Sequence, residues 1–224
     1  DMIQMAKKIQ LNSAYGALGN QYFRWFNPAY AESITTSGQL SIRWIEGKIN
    51  KYLNNVLETE EQDYVIASDT DSVYINFNDL VNKVYPEGCN PEKAVAFLDK
   101  VASQKLEPFI DKSYQDLSTY LNTYQQKMVM KREAIANKGI WTGKKHYILN
   151  VYNNEGVQYK EPQLKIMGIE AVRSSTPAPC RDKIKEALRI IMNGTESQLI
   201  EFVDKFRFDF TQMPFENVAF PRGL

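Results

Sequence analysis

The distribution of apolar residues predicts an α+β fold, with antiparallel strands packed on long helices. Three observations carry that expectation. Ile45, Ile49, Tyr52 and Val56 recur at i, i+4, i+7 and i+11, the buried stripe of a long helix. Residues 64–67 and 73–77 are short apolar runs rich in strand formers, separated by Ser68-Asp69-Thr70-Asp71-Ser72, which reads as a hairpin. Further strand-like runs at 127–136, 141–152 and 157–160 follow one another through short turns.

Composition narrows the class. The 224 residues are 43% hydrophobic and 12% aromatic, ample for a packed core. No run of 18 apolar residues occurs, so no helical membrane span is expected. Residues 1–8 resemble neither a signal nor a transit peptide, and an intracellular location is expected. Cys89 and Cys180 lie far apart without metal-ligand spacing and read as reduced thiols. Basic and acidic residues balance at 27 each, which argues against a wholly basic nucleic-acid coat. Charge is nevertheless segregated. Lys127, Lys131, Arg132, Lys138, Lys144 and Lys145 share the stretch up to Tyr147 with a single acid, Glu133.

Taken in order, residues 1–18 read as a helix with Gln4, Lys8, Asn12 and Tyr15 on one stripe. It opens in mid-pattern, without an N-cap or start methionine, as the tail of a longer helix in a piece of something larger. Gly16-Ala17-Leu18-Gly19-Asn20 is expected to stop it through residues suited to positive φ. A long helix over 31–56 ends at the acids Glu58, Glu60, Glu61 and Asp63. After the hairpin, Asn90-Pro91-Glu92 caps a second long helix to about Asn122, with a kink or break at Pro108. Strands over 127–136 and 141–152 are joined by a short glycine-containing loop. Asn153-Asn154-Glu155-Gly156 then turns into a strand over 157–160. Thr176-Pro177 opens a helix to about Met192, closed by Asn193-Gly194, and Thr195 caps a last helix to about Met213. The Asn193-Gly194-Thr195 sequon is disregarded for an intracellular chain.

The hairpin holds the chemistry. Asp69 and Asp71 are separated by one residue at a turn, where each carboxylate disfavours the ionised form of the other. A divalent cation removes that cost, and Mg²⁺ favours one or two carboxylates together with substrate phosphates. By itself the pair also suits an acidic surface hairpin.

Other blocks decide between these readings. Lys8-Ile9-Gln10-Leu11-Asn12-Ser13-Ala14-Tyr15-Gly16 resembles the Lys-x-x-x-Asn-Ser-x-Tyr-Gly signature of family B DNA polymerases. Asp69-Thr70-Asp71-Ser72 resembles that family's second catalytic carboxylate motif, in the same order and about fifty residues downstream. Trp141-Thr142-Gly143-Lys144-Lys145-His146-Tyr147, Leu164-Lys165-Ile166-Met167-Gly168-Ile169-Glu170 and Ser174-Ser175-Thr176-Pro177 resemble the T-even phage replicative type.

The resemblance implies an antiparallel palm sheet between helical pieces: the end of the fingers in 1–30, the palm in 31–168 and the start of the thumb in 169–224. It implies transfer of a dNTP to a primer 3′ end with two Mg²⁺ ions. Asp71 is then the principal metal ligand, Asp69 lies beside it, and Glu133 lies near the metals. Lys8 meets the triphosphate, Asn12 its phosphate or sugar, and Tyr15 the nascent base pair, with Gly16 leaving room for close approach. Lys144, Lys145 and Tyr147 approach the primer minor groove, with Lys145 and Tyr147 on one face of a single strand by alternation. Lys165 and Arg173 approach duplex phosphates. Two departures stand out: His146 occupies a position that is usually Arg, and Lys131 one that is Asp. Implied partners are primer-template DNA, dNTP, an N-terminal portion carrying the exonuclease and upstream palm carboxylate, and a sliding clamp. A phage source would place the chain in host cytoplasm. Without the upstream carboxylate the isolated chain is expected to be inactive. The competing reading is a non-catalytic DNA-binding or scaffolding part of a split polymerase. A glycosyltransferase Asp-x-Asp site lacks the Lys/Asn/Tyr helix.

Overall fold

The computed structural model describes residues 2–220. Its elements in order are α1 (Met2–Leu18), α2 (Pro28–Leu57), β1 (Val65–Asp69), β2 (Ser72–Ile75), α3 (Asn78–Val84), α4 (Pro91–Val101), α5 (Glu107–Tyr120), β3 (Ala134–Gly143), β4 (His146–Asn154), β5 (Val157–Met167), α6 (Ala178–Asn193), α7 (Glu196–Thr211) and α8 (Phe215–Val218). The fold is α+β, 56% helical and 18% strand, with all strand pairs antiparallel. The strands form two sheets, β1-β2 and β3-β4-β5, rather than one. Two compact units result. One comprises the chain up to Gly88 together with Leu106–Met130; the other comprises Cys89–Lys105 and the chain from Lys131 onward.

In the first unit α2 is the organising element. Asn27 caps it, its Oδ1 accepting from the N–H groups of Ala29 and Tyr30 at 3.1 and 3.4 Å, and Pro28 supplies a φ already helical. Three residues are thereby added before the expected start. The buried stripe is Ser41, Ile45, Ile49, Leu53 and Leu57, a strict i+4 row, instead of one passing through Tyr52 and Val56. Such a row winds slowly around a helix of 3.6 residues per turn and forms the ridge that neighbouring elements pack against. Val56 is left 45% exposed, and Tyr52 stacks on Phe109 of α5 at 4.4 Å. Ile110, Tyr114 and Leu117 of α5, Tyr64, and Val65, Val73 and Ile75 of the hairpin complete the core. Each fully buried Ile or Leu contributes about 1.5–3 kcal/mol. Trp44 Nε1 donates to the Ser113 carbonyl at 2.9 Å, tying α2 to α5.

The expected break near Pro108 takes a definite form. Residues Ala102–Leu106 are π-helical, and α5 begins immediately after them. Proline lacks an N–H and its ring crowds the carbonyl four residues back; the wider π turn relieves that clash. The expected stop after α1 also differs. Neither glycine there nor Asn20 has positive φ. The helix ends at Leu18, where Asn20 Oδ1 accepts the Tyr22 N–H at 3.0 Å, an Asx turn.

In the second unit the strand boundaries depart from expectation. No strand covers 127–133, and β3 runs through the segment read as a loop, so that the turn falls at Lys144-Lys145. Gly139 explains the misreading. It is a strand residue whose missing side chain makes space: a Cβ there would lie 2.7 Å from the Trp141 ring and 2.8 Å from Leu149 Cδ2. The β4–β5 turn is as expected, with Glu155 and Gly156 at φ 49° and 89°. β5 extends well beyond 160, to Met167, because Pro162 sits in an edge-strand bulge: Asn153 faces Gln158 but Val151 faces Gln163. Ile148 of β4 packs with Ala171, Leu188 and Met192. Lys138 Nζ donates to the Met192 carbonyl at 2.6 Å, a cation at the C-terminal end of α6. Thr195 and Gln198 form the capping box of α7.

Candidate functional site

The β1–β2 hairpin brings two carboxylates to one tip. Asp69, the last residue of β1, pairs with Ser72, so the turn consists of Thr70 and Asp71 alone. Thr70 has φ 50°, and the Asp71 N–H donates to the Asp69 carbonyl at 2.6 Å, the form of a γ-turn. A β-branched residue in that region stores strain of about 1–3 kcal/mol, which the flanking pairing must hold. Thr70 Oγ1 donates to Asp69 Oδ1 at 3.0 Å, and Ser72 Oγ reaches Asp71 Oδ1 only at 3.5 Å. Asp71 is exposed and Asp69 half-buried. The donor set is all carboxylate and hydroxyl oxygen, the hard ligands that Mg²⁺ takes. Among the described residues no group of three or more His, Cys, Asp or Glu side chains gathers to complete a cation site. Two carboxylates fit part of a Mg²⁺ shell whose remaining ligands are water and substrate.

Residues that sequence reading did not single out support this tip. Asn50 and Asn54, one turn apart on α2, bind the backbone between the helix and β1 through their carboxamides. Their spacing alone could not reveal this, because asparagines on a helix ordinarily face water.

Lys8, Asn12, Tyr15 and Gly16 lie on α1 and are all exposed, Tyr15 by 43%. The first three follow at i, i+4 and i+7 and so share one face. A Cβ on Gly16 would meet nothing within 4 Å, leaving open space there.

The second unit carries the remaining candidates. Lys144 and Lys145 form the β3–β4 turn, Lys145 with φ 61°, and both are exposed. The expectation that Lys145 and Tyr147 share one face of a continuous strand is overturned, because the chain reverses between Gly143 and His146. Tyr147 is only 7% exposed, its ring 6.5 Å from that of Trp141. Gly168, at φ 70°, backs the turn closely: a Cβ would fall 2.2 Å from the Lys145 carbonyl oxygen and 2.3 Å from His146 Cδ2. Arg173 Nη2 lies 3.5 Å from His146 Nε2, and Arg173 Nη1 3.5 Å from Glu170 Oε1. Two candidates given different roles meet each other: Lys165 Nζ is ion-paired with Glu133 Oε1. Lys131 is exposed beside Arg132, which pairs with Asp99 and donates to Asn153 Oδ1 at 2.7 Å.

Fold and site thus define an α+β protein with an exposed acidic hairpin supported on a long helix. Comparison with known proteins gives the family. DNA polymerase family B matches residues 1–95, and Divergent Family B DNA polymerase matches residues 55–204. The DNA-directed DNA polymerase of Escherichia phage RB69 is 42% identical over 225 residues, covering 96% of this chain and 25% of that protein. That of Enterobacteria phage T4 is 39% identical with the same coverage of each. The DNA polymerase of Choristoneura biennis entomopoxvirus is 33% identical over 111 residues, 35% of this chain and 12% of its own length. The chain belongs to family B of the DNA polymerases. It spans about a quarter of the length of its phage relatives. Family B polymerases are metal-dependent enzymes. Among the described residues no helix is long and apolar enough to cross a membrane.

Proposed function

We propose that this chain supplies the palm carboxylates of a DNA-directed DNA polymerase, with the end of the fingers in 1–30, the palm in 31–168 and the start of the thumb in 169–224. The observation that carries the reading is the Asp69–Asp71 pair on a strained two-residue turn within a family B chain. Asp71, exposed at the apex, is the principal ligand for Mg²⁺, and Asp69 is the second oxygen donor. Two Mg²⁺ ions would supply neutralisation of charge on the entering 3′ oxygen and the departing pyrophosphate. Thr70 Oγ1, donating to Asp69, keeps one carboxylate oxygen occupied and restricts how that group turns. Lys8 meets the dNTP triphosphate as a point charge on a rigid helix, Asn12 hydrogen-bonds its phosphate or sugar, and Tyr15 offers a flat face to the nascent base pair beside the open space at Gly16.

The Lys144-Lys145 turn grips the primer-template backbone near the minor groove, whose acceptors are common to all base pairs. Tyr147 supports that turn from behind, being buried. Lys165 and Arg173 reach duplex phosphates only by exchanging their present partners, Glu133 and Glu170. Glu133 approaches the metals only by leaving Lys165, the cation its carboxylate already has. This reading calls for a polypeptide bearing the upstream palm carboxylate and the exonuclease, and a sliding clamp is a further partner compatible with it.

A chimera tests it, with this chain replacing the matching quarter of the phage RB69 protein. Mg²⁺-dependent primer extension is expected, and Asp71→Asn should lower it at least about a thousandfold, the scale of losing a group that acts only as part of a catalytic unit. Extension that survives Asp71→Asn refutes the proposal.

A further inference from the structure

The geometry of the acidic tip is set at the other end of the hairpin. Asn50 Oδ1 accepts the N–H groups of Tyr64 at 3.0 Å and Val65 at 2.9 Å, while its Nδ2 donates to Asp63 Oδ1 at 2.7 Å. Asn54 Oδ1 accepts the Gln62 N–H at 3.0 Å and the Thr59 hydroxyl at 2.8 Å, and its Nδ2 donates to the Gln62 carbonyl at 2.8 Å. Two carboxamides thereby tie 59–65 to one face of α2. Only Asn and Gln offer both a two-lone-pair acceptor and two donors in a single neutral group, and Gln is a methylene longer.

Where β1 starts decides where it ends. Val65 faces Ile75, but Ala67 faces Tyr74, so Ile66 is an extra, bulged residue. Regular pairing onward from Val65 would set Ser68 opposite Ser72 and leave Asp69 inside a three-residue loop. With the bulge, Asp69 pairs with Ser72, and Thr70 and Asp71 alone turn the chain. A one-residue slip also sends each side chain to the opposite face. β2 is held independently, by Val73 and Ile75 against the core. The register therefore depends on how β1 is anchored, and its first N–H is held by a side chain of α2.

We propose that Asn50, seconded by Asn54, is a positioning residue that sets the register of the β1–β2 hairpin and so the mutual placement of Asp69 and Asp71. It rests on the proposed role of those carboxylates as Mg²⁺ ligands. The test uses the 224-residue chain, with backbone NMR for register and Mn²⁺ as a paramagnetic probe of the tip. Asn50→Ala is expected to remove the cross-strand contact between Asp69 and Ser72 and to weaken Mn²⁺ broadening of the Asp69–Asp71 amides about tenfold, the scale of losing a residue that orients a ligand. Asn50→Asp combined with Asp63→Asn, which keeps the acceptor and reverses the donor, is expected to restore both readouts. A folded Asn50→Ala with the Asp69–Ser72 contact and Mn²⁺ broadening unchanged overturns the positioning role alone. Mn²⁺ that fails to broaden the wild-type tip overturns metal binding by Asp69 and Asp71 in the isolated chain, while the Asp69–Ser72 contact in Asn50→Ala still decides the positioning role. If Asn50→Ala does not fold, hydrogen-bond couplings in the wild-type chain decide: Tyr64 and Val65 nitrogens coupled to the Asn50 carboxamide carbon support the proposal, and their absence overturns it.

Discussion

Replacing Gly168 by alanine separates two physical costs that usually arrive together. Gly168 has φ 70°, and its Cβ position lies 2.2 Å from the Lys145 carbonyl oxygen. Alanine there bears the left-handed penalty of about 1–2 kcal/mol. The same methyl group must also displace backbone at the Lys144-Lys145 turn, an overpacking cost of about 1–3 kcal/mol. The expected destabilisation is the sum, about 2–5 kcal/mol. Gly88 and Gly143 are internal controls. Gly88 has φ 83° with nothing within 4 Å of its Cβ position, so only the first cost applies. Gly143 has neither positive φ nor a neighbour within 4 Å. Urea unfolding of the three alanine variants should rank them Gly168 well above Gly88, and Gly88 above Gly143. The steric argument is refuted if Gly168→Ala costs no more than Gly88→Ala.

Three more expectations follow from other parts of the molecule. Burial pushes the Tyr114 hydroxyl above the usual tyrosine value of 10.0, so the folded chain keeps this proton longer than the unfolded chain. The associated stability is complete below about pH 10 and is lost as pH rises through the folded value; Tyr114→Phe should flatten urea midpoints measured between about pH 9 and 11, and an unchanged alkaline decline excludes this source. Alanine at both Lys144 and Lys145 should reduce the slope of log K against log salt for duplex DNA by about 2, close to 0.9 per phosphate contact, and an unchanged slope places the contact elsewhere. Asn27→Ala removes the α2 cap and should cost about 1 kcal/mol by thermal or urea unfolding; a wild-type midpoint would mean that Pro28 alone starts the helix.

Legibility in the sequence depended on how local the governing interaction was. Asn90-Pro91-Glu92, Thr195 and the Glu155-Gly156 turn announce themselves because caps and turns are satisfied within four residues. The acidic tip was legible for the same reason, and so was the Lys8, Asn12, Tyr15 face. The β3–β4 turn was not. Gly139 mimics a turn residue, although its role is to admit Trp141 and Leu149, and nothing nearby marks Lys145 for positive φ. Pro162 similarly hid the length of β5, since proline is excluded from a ladder except at an edge or a bulge, and neither can be known before the sheet is assembled. Asn50 was invisible because its partners lie 13 to 15 residues away.

The bulge at Pro162 reaches beyond the strand that contains it. An outermost strand with an unbroken row of N–H donors is a template on which another chain can crystallise its own backbone. β5 carries Pro162, whose ring nitrogen has no hydrogen to give, in the middle of a stretch already out of step with its neighbour. Among the described residues β5 is an outer strand of its sheet, and a proline within a shifted register makes it a poor template for ribbon-like stacking of copies.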